Sequence, residues 1–327
     1  MRKKRILSGM RPTGKLHLGN YVGALENWIT LQNEYESYHL VADYHMLTTG
    51  LDTDALEQNT IDMVIDWLAA GLDPVKSPFF RQSQIKEHTE LHLLFSMLIT
   101  AARLERNPTL KDQLRDLNIE NVSYGHLGYP VLQAADILLY KGEVVPVGED
   151  QVPHVEITRE IARRFNTQYG TVFPEPDPKL TKFARLPGLD GQAKMSKSLN
   201  NAIFLSDKPE EVIAKMRKAV TDPLKVRRGD PGRPEICVIY TYHKKFNDLN
   251  SVAEVEAGCR SGALGCVDCK MKCAARINEI LAPIIEKRDY FENHLDEVKN
   301  ILTDGERRGR HTAVETMTEV RSKMKMG

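Results

Sequence analysis

RILSGMRPTGKLHLGNYVGALENWITL, residues 5–31, governs how the rest of the chain is read. Ile6 and Leu7 make a short apolar run that Pro12, Thr13 and Gly14 interrupt. Apolar residues then recur at Leu18, Val22, Leu25, Trp28 and Ile29, one stripe of an amphipathic helix. Strand, turn and helix are expected in that order, the helix starting near Gly19 or Asn20. A helix N-terminus behind a strand presents free backbone N–H groups and a partial positive charge, which suits a phosphate. Glycine in the turn lets a ligand approach the backbone closely. His17 and Asn20, three apart at that mouth, can both donate hydrogen bonds to one anion.

Outward from this unit the alternation continues. YHLVA at 38–42 predicts a buried strand, and 54–70 a periodic helix closed by Gly71 with Pro74 beyond. Residues 78–82 predict a strand and 88–100 a helix. Residues 103–117 carry Arg103, Arg106, Lys111 and Arg115 among acidic neighbours, which fits either a solvated helix face or a contact to RNA backbone. PVLQAADILLY, 130–140, predicts a helix with Pro130 in its first turn. A buried strand at 144–147 runs into Gly148, Glu149, Asp150 and Gln151, then a helix over 154–165.

Strands alternating with helices to about residue 170 predict an α/β fold with a parallel, helix-covered sheet. In such sheets ligands sit beyond the carboxyl ends of the strands, where strand order reverses. The turn at Pro12, the stretch Asp43 to His45, and Gly148 to Gln151 all fall at such ends. Residues 171–191, rich in Pro and Gly with PEPDP at 174–178, predict a linker or mobile loop. Beyond them 208–220, 253–258, 274–288 and 313–325 are helical patterns without a strand, so the second half is expected to be helical.

A chain of 327 residues predicts roughly two domains. Its 45 basic and 45 acidic residues cancel, so any nucleic-acid contact must come from local patches rather than a whole-molecule field. No run of 18 apolar residues exists, and MRKKR is not followed by the apolar core of a signal peptide, so a soluble, cytoplasmic chain without a membrane span is expected. Lys194-Met195-Ser196-Lys197-Ser198 gathers two ammonium groups and two hydroxyls on one loop, a compact means of neutralising a polyphosphate leaving group.

His17-Leu18-Gly19-Asn20, a parallel sheet, then KMSKS before a helical half: in that order these features resemble the class I aminoacyl-tRNA synthetases. RPTGKLHLGNYVGAL, YPVLQAADILLY and VPVGEDQVPHVEITREIARRFN bring the resemblance to the bacterial tryptophan branch, and it runs end to end. It implies a Rossmann-like catalytic domain over 1–192. The KMSKS loop and a helical, anticodon-binding domain would occupy 193–327, with the last helix able to pack back on the first domain. The implied reaction joins L-tryptophan and ATP into an adenylate and then loads tRNA(Trp), with Mg²⁺ assisting. ATP would be held by Arg11, Pro12, Thr13, His17, Gly19, Asn20, Gly148, Glu149, Asp150, Leu186 and the loop Lys194, Met195, Ser196, Lys197 and Ser198. Lys194, Lys197, His17 and Asn20 would be catalytic. Asp136 would accept the indole N–H, with Gln133 one turn earlier on the same face. Tyr129, His45 and Gln151 would surround the amino acid's polar end, and Val145 and Val147 line the indole pocket. A homodimer is implied, and residues 103–115 and 225–228 are candidates for tRNA contact. A tyrosine-specific enzyme and a small-molecule nucleotidyltransferase remain as alternatives.

All five cysteines fall between 237 and 273. Cys237, Cys259, Cys266 and Cys269 make C-x21-C-x6-C-x2-C, which in a cytosolic chain points to a metal sooner than to disulfides. Zinc or a 4Fe–4S cluster fits four thiolates. The GCVDCK segment resembles that of family members carrying a 4Fe–4S cluster, which makes the cluster the expectation, zinc the alternative and Cys273 the spectator.

Overall fold

The computed structural model describes residues 2–116, 119–181, 186–191, 194–197 and 199–326. Among them β1 (Arg5–Met10), β2 (Glu36–Val41), β3 (Phe79–Arg81), β4 (Val144–Val147) and β5 (Asp177–Leu180) form one sheet in the order β3-β2-β1-β4-β5. Every pairing is parallel. Strand order reverses between β1 and β4, so the carboxyl ends of those two strands flank the crevice such a sheet offers a ligand.

Helices cover both faces. In the first half they are α1 (Leu18–Asn20), α2 (Glu26–Leu31), α3 (Asp43–Leu47), α4 (Leu56–Ala70), α5 (Glu87–Ser96), α6 (Ala101–Glu105), α7 (Pro108–Asp116), α8 (Tyr124–Leu139) and α9 (Val152–Tyr169). In the second half they are α10 (Pro209–Lys218), α11 (Val238–Phe246), α12 (Leu249–Ser261), α13 (Cys266–Glu292) and α14 (Leu295–Met324). The α/β expectation with a helical second half is met. α1 and α2 are parts of the single amphipathic rod expected from the spacing, joined through a π turn at Tyr21–Leu25. α4 ends where expected, at Gly71, whose φ of 109° suits glycine.

Four local expectations are corrected. The helix over 103–117 is two helices, because the residue before Pro108 is pushed out of the helical region and Pro108 opens the next one. Pro130 does not open α8; Ser123 does, its side chain accepting the His126 N–H, and burial of the whole segment from Gly128 to Leu132 carries the helix through the proline. Part of the Pro-rich stretch at 171–191 is the edge strand β5. It is tied by Asp177 N–H to Glu143 O (2.9 Å) and Thr181 N–H to Val147 O (3.1 Å), backbone bonds that leave no side-chain periodicity. α11 and the full 27 and 30 residues of α13 and α14 exceed the helical patterns expected; in α14 the buried stripe runs through Gly305, Glu306, Gly309, Thr312 and Thr316, residues that give no apolar signal.

α14 lies across the open edge of β3 and feeds both apolar layers. Val298 and Leu302 join the layer containing Trp28, Trp67 and Phe79, while Ala313, Met317 and Val320 join that of Phe80, Leu138 and Phe165. The crossing is at Gly305, where a Cβ would collide with the Phe79 carbonyl oxygen. Arg81 seals it with an ion pair to Glu306 (2.6 Å). A helix so placed hides the unpaired edge of a strand that could otherwise template association.

A buried carboxylate ties the halves together. Asp66 on α4 is fully buried and accepts the Leu16 N–H (2.6 Å) and the guanidinium of Arg288 on α13, itself 2% exposed. Burial drives the Asp66 pKa up to about 6 against the pull of Arg288. Arg288→Met is expected to lower the unfolding free energy by about 3–5 kcal/mol, because it strands a buried charge. Adding Asp66→Asn should return part of the loss. Urea melts of the single and double variants check this, and an unaltered midpoint in the single variant would remove the tie.

Candidate active site

Strands β1 to β4 each end in a segment that carries polar groups to the same edge of the sheet. Beyond β1, Arg11 donates from Nη1 to Thr49 Oγ1 (3.3 Å), and its pKa is lowered by burial. The turn follows, with Gly14 at φ 88°, a left-handed value that suits glycine. His17 caps the next helix: its Nδ1 accepts the Asn20 N–H (3.2 Å) while Asn20 Oδ1 accepts the His17 N–H (3.1 Å). That capping box fixes the hydrogen of the His17 ring on Nε2 and leaves Nε2–H and the Asn20 amide nitrogen to donate outward. Burial first, then Lys197 and Lys194, push the His17 pKa down to about 4, so the ring is neutral.

The KMSKS segment lies against this mouth. Met195 Sδ accepts the Gly19 N–H (3.3 Å), and Lys197 Nζ donates to the Thr13 carbonyl. Ser196 N–H is held by Asn201 Oδ1 (2.8 Å), whose amide in turn donates to Asp190 (2.9 Å). Burial lowers the Lys197 pKa, and the carboxylates of Asp66 and Asp62 oppose it. Lys194 bridges to Pro187, and the Leu186 side chain is packed in the core while its carbonyl receives the Met195 N–H (3.4 Å). Ser198 lies outside the described residues.

Beyond β4, Glu149 to Gln151 form a single 3-10 turn, with Gln151 N–H on Gly148 O (3.0 Å) and Asp150 O accepting from Thr109 Oγ1 (2.6 Å). Tyr129 joins this loop to the first. Its ring lies in the fields of both Arg11 and Asp150, and burial raises its pKa to about 12. Its hydroxyl meets His154 Nε2 (2.7 Å), whose Nδ1 is held by Asn107 (2.9 Å), and burial lowers the His154 pKa to about 4.

Asp136, on α8, is 2% exposed and accepts three hydrogen bonds: from His45 Nε2 (2.8 Å), His88 Nδ1 (2.7 Å) and Gln82 Nε2 (2.7 Å). Burial raises its pKa, but the two histidines outweigh that and hold it well below the usual carboxylate range. His45, expected near the polar end of the amino acid, is thus placed on Asp136, with its ring 6.4 Å from that of Tyr129. Lys197 is bonded to the Thr13 turn, Tyr129 lies in the field of Arg11 at the start of that turn, and the Tyr129 ring faces His45, which is bonded to Asp136. Gln133 is half-buried one turn before Asp136, and Val145 and Val147 lie in the apolar layer. Gln82, His88, Asn107 and His154 were not foreseen. Gln82 alone had a legible signal, since it follows β3 as His45 follows β2.

In the helical half Cys237 precedes α11, Cys259 lies near the end of α12, and Cys266, Cys269 and Cys273 rise up one face of α13. All five are free thiols. Burial and then Cys237, Cys259 and Cys266 push the Cys269 thiol up to about 12. Among the described residues no three His, Cys, Asp or Glu side chains stand at metal-binding geometry.

The model of the family "tRNA synthetases class I (W and Y)" matches residues 1–282. The chain belongs to that family. It is 49% identical to a tryptophan–tRNA ligase of Thermotoga maritima over 98% of this chain and 99% of that protein. It is 45% identical to one of Aquifex aeolicus over 98% of this chain and all of that protein. Among solved structures it resembles a tryptophanyl-tRNA synthetase of Campylobacter jejuni complexed with ADP and tryptophan. There the TM-score is 0.86 and the identity 34%, with 98% and 99% of the two chains covered.

This class I synthetase holds several histidines uncharged. Besides His154, His39 on β2 is fully buried against Trp28 (4.7 Å between rings), and its pKa is lowered to about 3 by burial. Both pKa values lie below the unfolded value of about 6.5, so the stability they represent is present above pH 6.5 and is lost as pH falls toward 4. Each histidine should contribute a slope of about 1.4 kcal/mol per pH unit over that range. His39→Phe, which keeps the stack, should remove one such share. Urea melts at pH 7.5, 6 and 5 measure it, and identical slopes for parent and variant would contradict it.

Proposed function

We propose that this chain is a tryptophan–tRNA ligase, which activates L-tryptophan with ATP, releases pyrophosphate and transfers the amino acid to tRNA(Trp). The observation that carries the substrate is Asp136, an ionised acceptor buried behind the strand-end segments and held there by His45, Gln82 and His88. An indole offers one N–H and no acceptor, and such a group is what a buried carboxylate recognises. The named activity of the relatives at 45% and 49% identity supports the same substrate. Gln133 beside Asp136 keeps tyrosine as the second reading, since a phenol can also be met by a Gln and Asp pair. A small-molecule nucleotidyltransferase leaves α10 to α14 without a role.

The tryptophan carboxylate is itself the nucleophile toward the α-phosphate, so the protein contributes position and electrostatics. Arg11, Pro12, Thr13, the Nε2–H of His17, Gly19 and Asn20 hold the phosphates, and Gly148, Glu149 and Asp150 hold the ribose. Leu186, Met195, Ser196 and Ser198 complete the nucleotide side through backbone and hydroxyl groups. Lys197 turns from the Thr13 carbonyl and, with Lys194, meets the β- and γ-phosphates as charge builds there. Mg²⁺ supplies further neutralisation of that charge. Tyr129 and Gln151 meet the polar end of tryptophan, His45 steadies Asp136, and Val145 and Val147 flank the ring. Residues 1–192 act as the catalytic unit and 193–327 as the loop and anticodon-binding unit in a cytoplasmic homodimer.

Cys237, Cys259, Cys266 and Cys269 hold a 4Fe–4S cluster on this reading, with zinc the alternative. Support comes from the chemistry of the donors: four thiols lie on adjoining elements, and Cys269, raised by burial and then by the other three, ionises only beside a cationic centre. Anaerobic purification should yield a brown protein with iron and acid-labile sulfide in equal amounts. Stoichiometric zinc, or no metal, would displace the cluster.

Pyrophosphate exchange with ATP decides the reaction: it should depend on tryptophan and not on tyrosine, and exchange without any amino acid would sink the proposal. Lys197→Ala should slow adenylate formation by about 10²–10³-fold while tryptophan affinity stays near the parent's. A pre-steady-state burst equal to the parent's would remove Lys197 from that role.

A further inference from the structure

The three bonds to Asp136 are unequally shared. Oδ1 accepts from both Gln82 Nε2 (2.7 Å) and His88 Nδ1 (2.7 Å), whereas Oδ2 accepts only from His45 Nε2 (2.8 Å). A carboxylate offers about four acceptor positions, two on each oxygen. Oδ1 is therefore closed, and one position stays open on Oδ2.

The donors are held in place by groups behind them. His88 Nε2 stands 3.0 Å from the hydroxyl of Tyr140, a fully buried residue. A carboxylate only accepts, so the His88 hydrogen is on Nδ1, and Nε2 accepts the Tyr140 O–H. Gln82 is fully buried and directs its amide nitrogen to Asp136 although its Oε1 is left with no partner. The reverse orientation would set that oxygen against the carboxylate. The next residue, Ser83, is pinned by N–H (2.9 Å) and hydroxyl bonds to Asp43 at the start of α3, which anchors the turn carrying Gln82.

We propose that Gln82 and His88 are positioning residues for amino-acid selection: by closing Oδ1 they leave Asp136 a single acceptor site, on Oδ2 beside His45, shaped for a donor-only indole N–H. This rests on the assignment of Asp136 to the indole. The same arrangement works against tyrosine. A phenol both donates and accepts, and the imidazole N–H groups facing the carboxylate from His45 and His88 are already spent on it. A phenolic oxygen in this place would find no donor on His45 or His88 and would depend on the Gln133 amide alone, a loss that discriminates against tyrosine.

The test is the selectivity for tryptophan over tyrosine, taken as the ratio of kcat/KM values in amino-acid-dependent pyrophosphate exchange at saturating ATP. Gln82→Met removes one donor together with the unpartnered oxygen, so it should fold at least as well as the parent. His88→Leu removes the other donor, and His88→Asn restores a donor near the Nδ1 position. Gln82→Met and His88→Leu are each expected to raise the tryptophan KM at least tenfold with little change in kcat, and to cut the selectivity at least tenfold. His88→Asn should recover most of both, and the KM for ATP should not move. A merely structural role would instead lower kcat and ATP affinity together, and that result overturns the proposal. So does unchanged selectivity in Gln82→Met, which keeps the question open to refutation even if His88→Leu fails to fold. Asp136→Asn separates the two levels. If it keeps full selectivity, the assignment of Asp136 itself fails. If it loses selectivity while the Gln82 and His88 variants keep theirs, only the present inference does.

Discussion

The carboxylate of Asp66 holds the machine in register. It has been taken out of water into the apolar layer between α4 and α13, where an ionised group stands only if its partners are in place. Those partners come from opposite ends of the chain. The Leu16 N–H sits between the turn at residues 12–14 and the HLGN segment, and Arg288 comes from the helical half. The same carboxylate, with Asp62, acts on the Lys197 ammonium. One buried charge thus relates the turn, the KMSKS loop and the helical half, three parts that must agree in position for phosphoryl chemistry that depends on geometry more than on any reacting side chain.

The sheet sets the second constraint. With β1 and β4 adjacent and every pairing parallel, each strand releases its chain toward the same edge. β1 delivers Arg11, β2 His45, β3 Gln82 and β4 Asp150, and α8 crosses behind them with Tyr129 and Asp136. The polar groups are satisfied mostly by one another, which is why they can be buried at all. That interdependence also orients them: the capping box gives the His17 ring its hydrogen on the outer nitrogen, and Tyr140 does the same for His88 on the inner one.

Much of this was legible beforehand, and what was not shares a cause. Residues 5–31, 38–42, 54–70 and 144–147 declare themselves because burial on one or both faces imposes a period on side chains. β5 does not, because its half-exposed Asp177-Pro178-Lys179-Leu180 joins the sheet through backbone bonds and buries no apolar alternation. The break at Asn107-Pro108 was written in the proline and overlooked. Pro130 misled in the opposite sense, since packing of α8 on the sheet outweighed the local preference. In the site, Asp136 announces itself as a charge among apolar residues, whereas Gln82 and His88 look like any polar residues at a strand end and a helix start.

The chain's own order of residues determined the class of fold, the strand-end placement of the turn at residues 12–14, the KMSKS segment and the lone charge of Asp136 on an apolar helix, because periodicity and motif spacing are local properties that survive without coordinates. Only the tertiary structure decided which donors face Asp136, which of its oxygens stays open, and that Arg288 closes on Asp66 from 222 residues away. It also decided that α14 seals the β3 edge at Gly305. These depend on groups far apart in the chain meeting within hydrogen-bond or van der Waals distance, a condition that no window of sequence encodes and that the packed sheet and its helices impose.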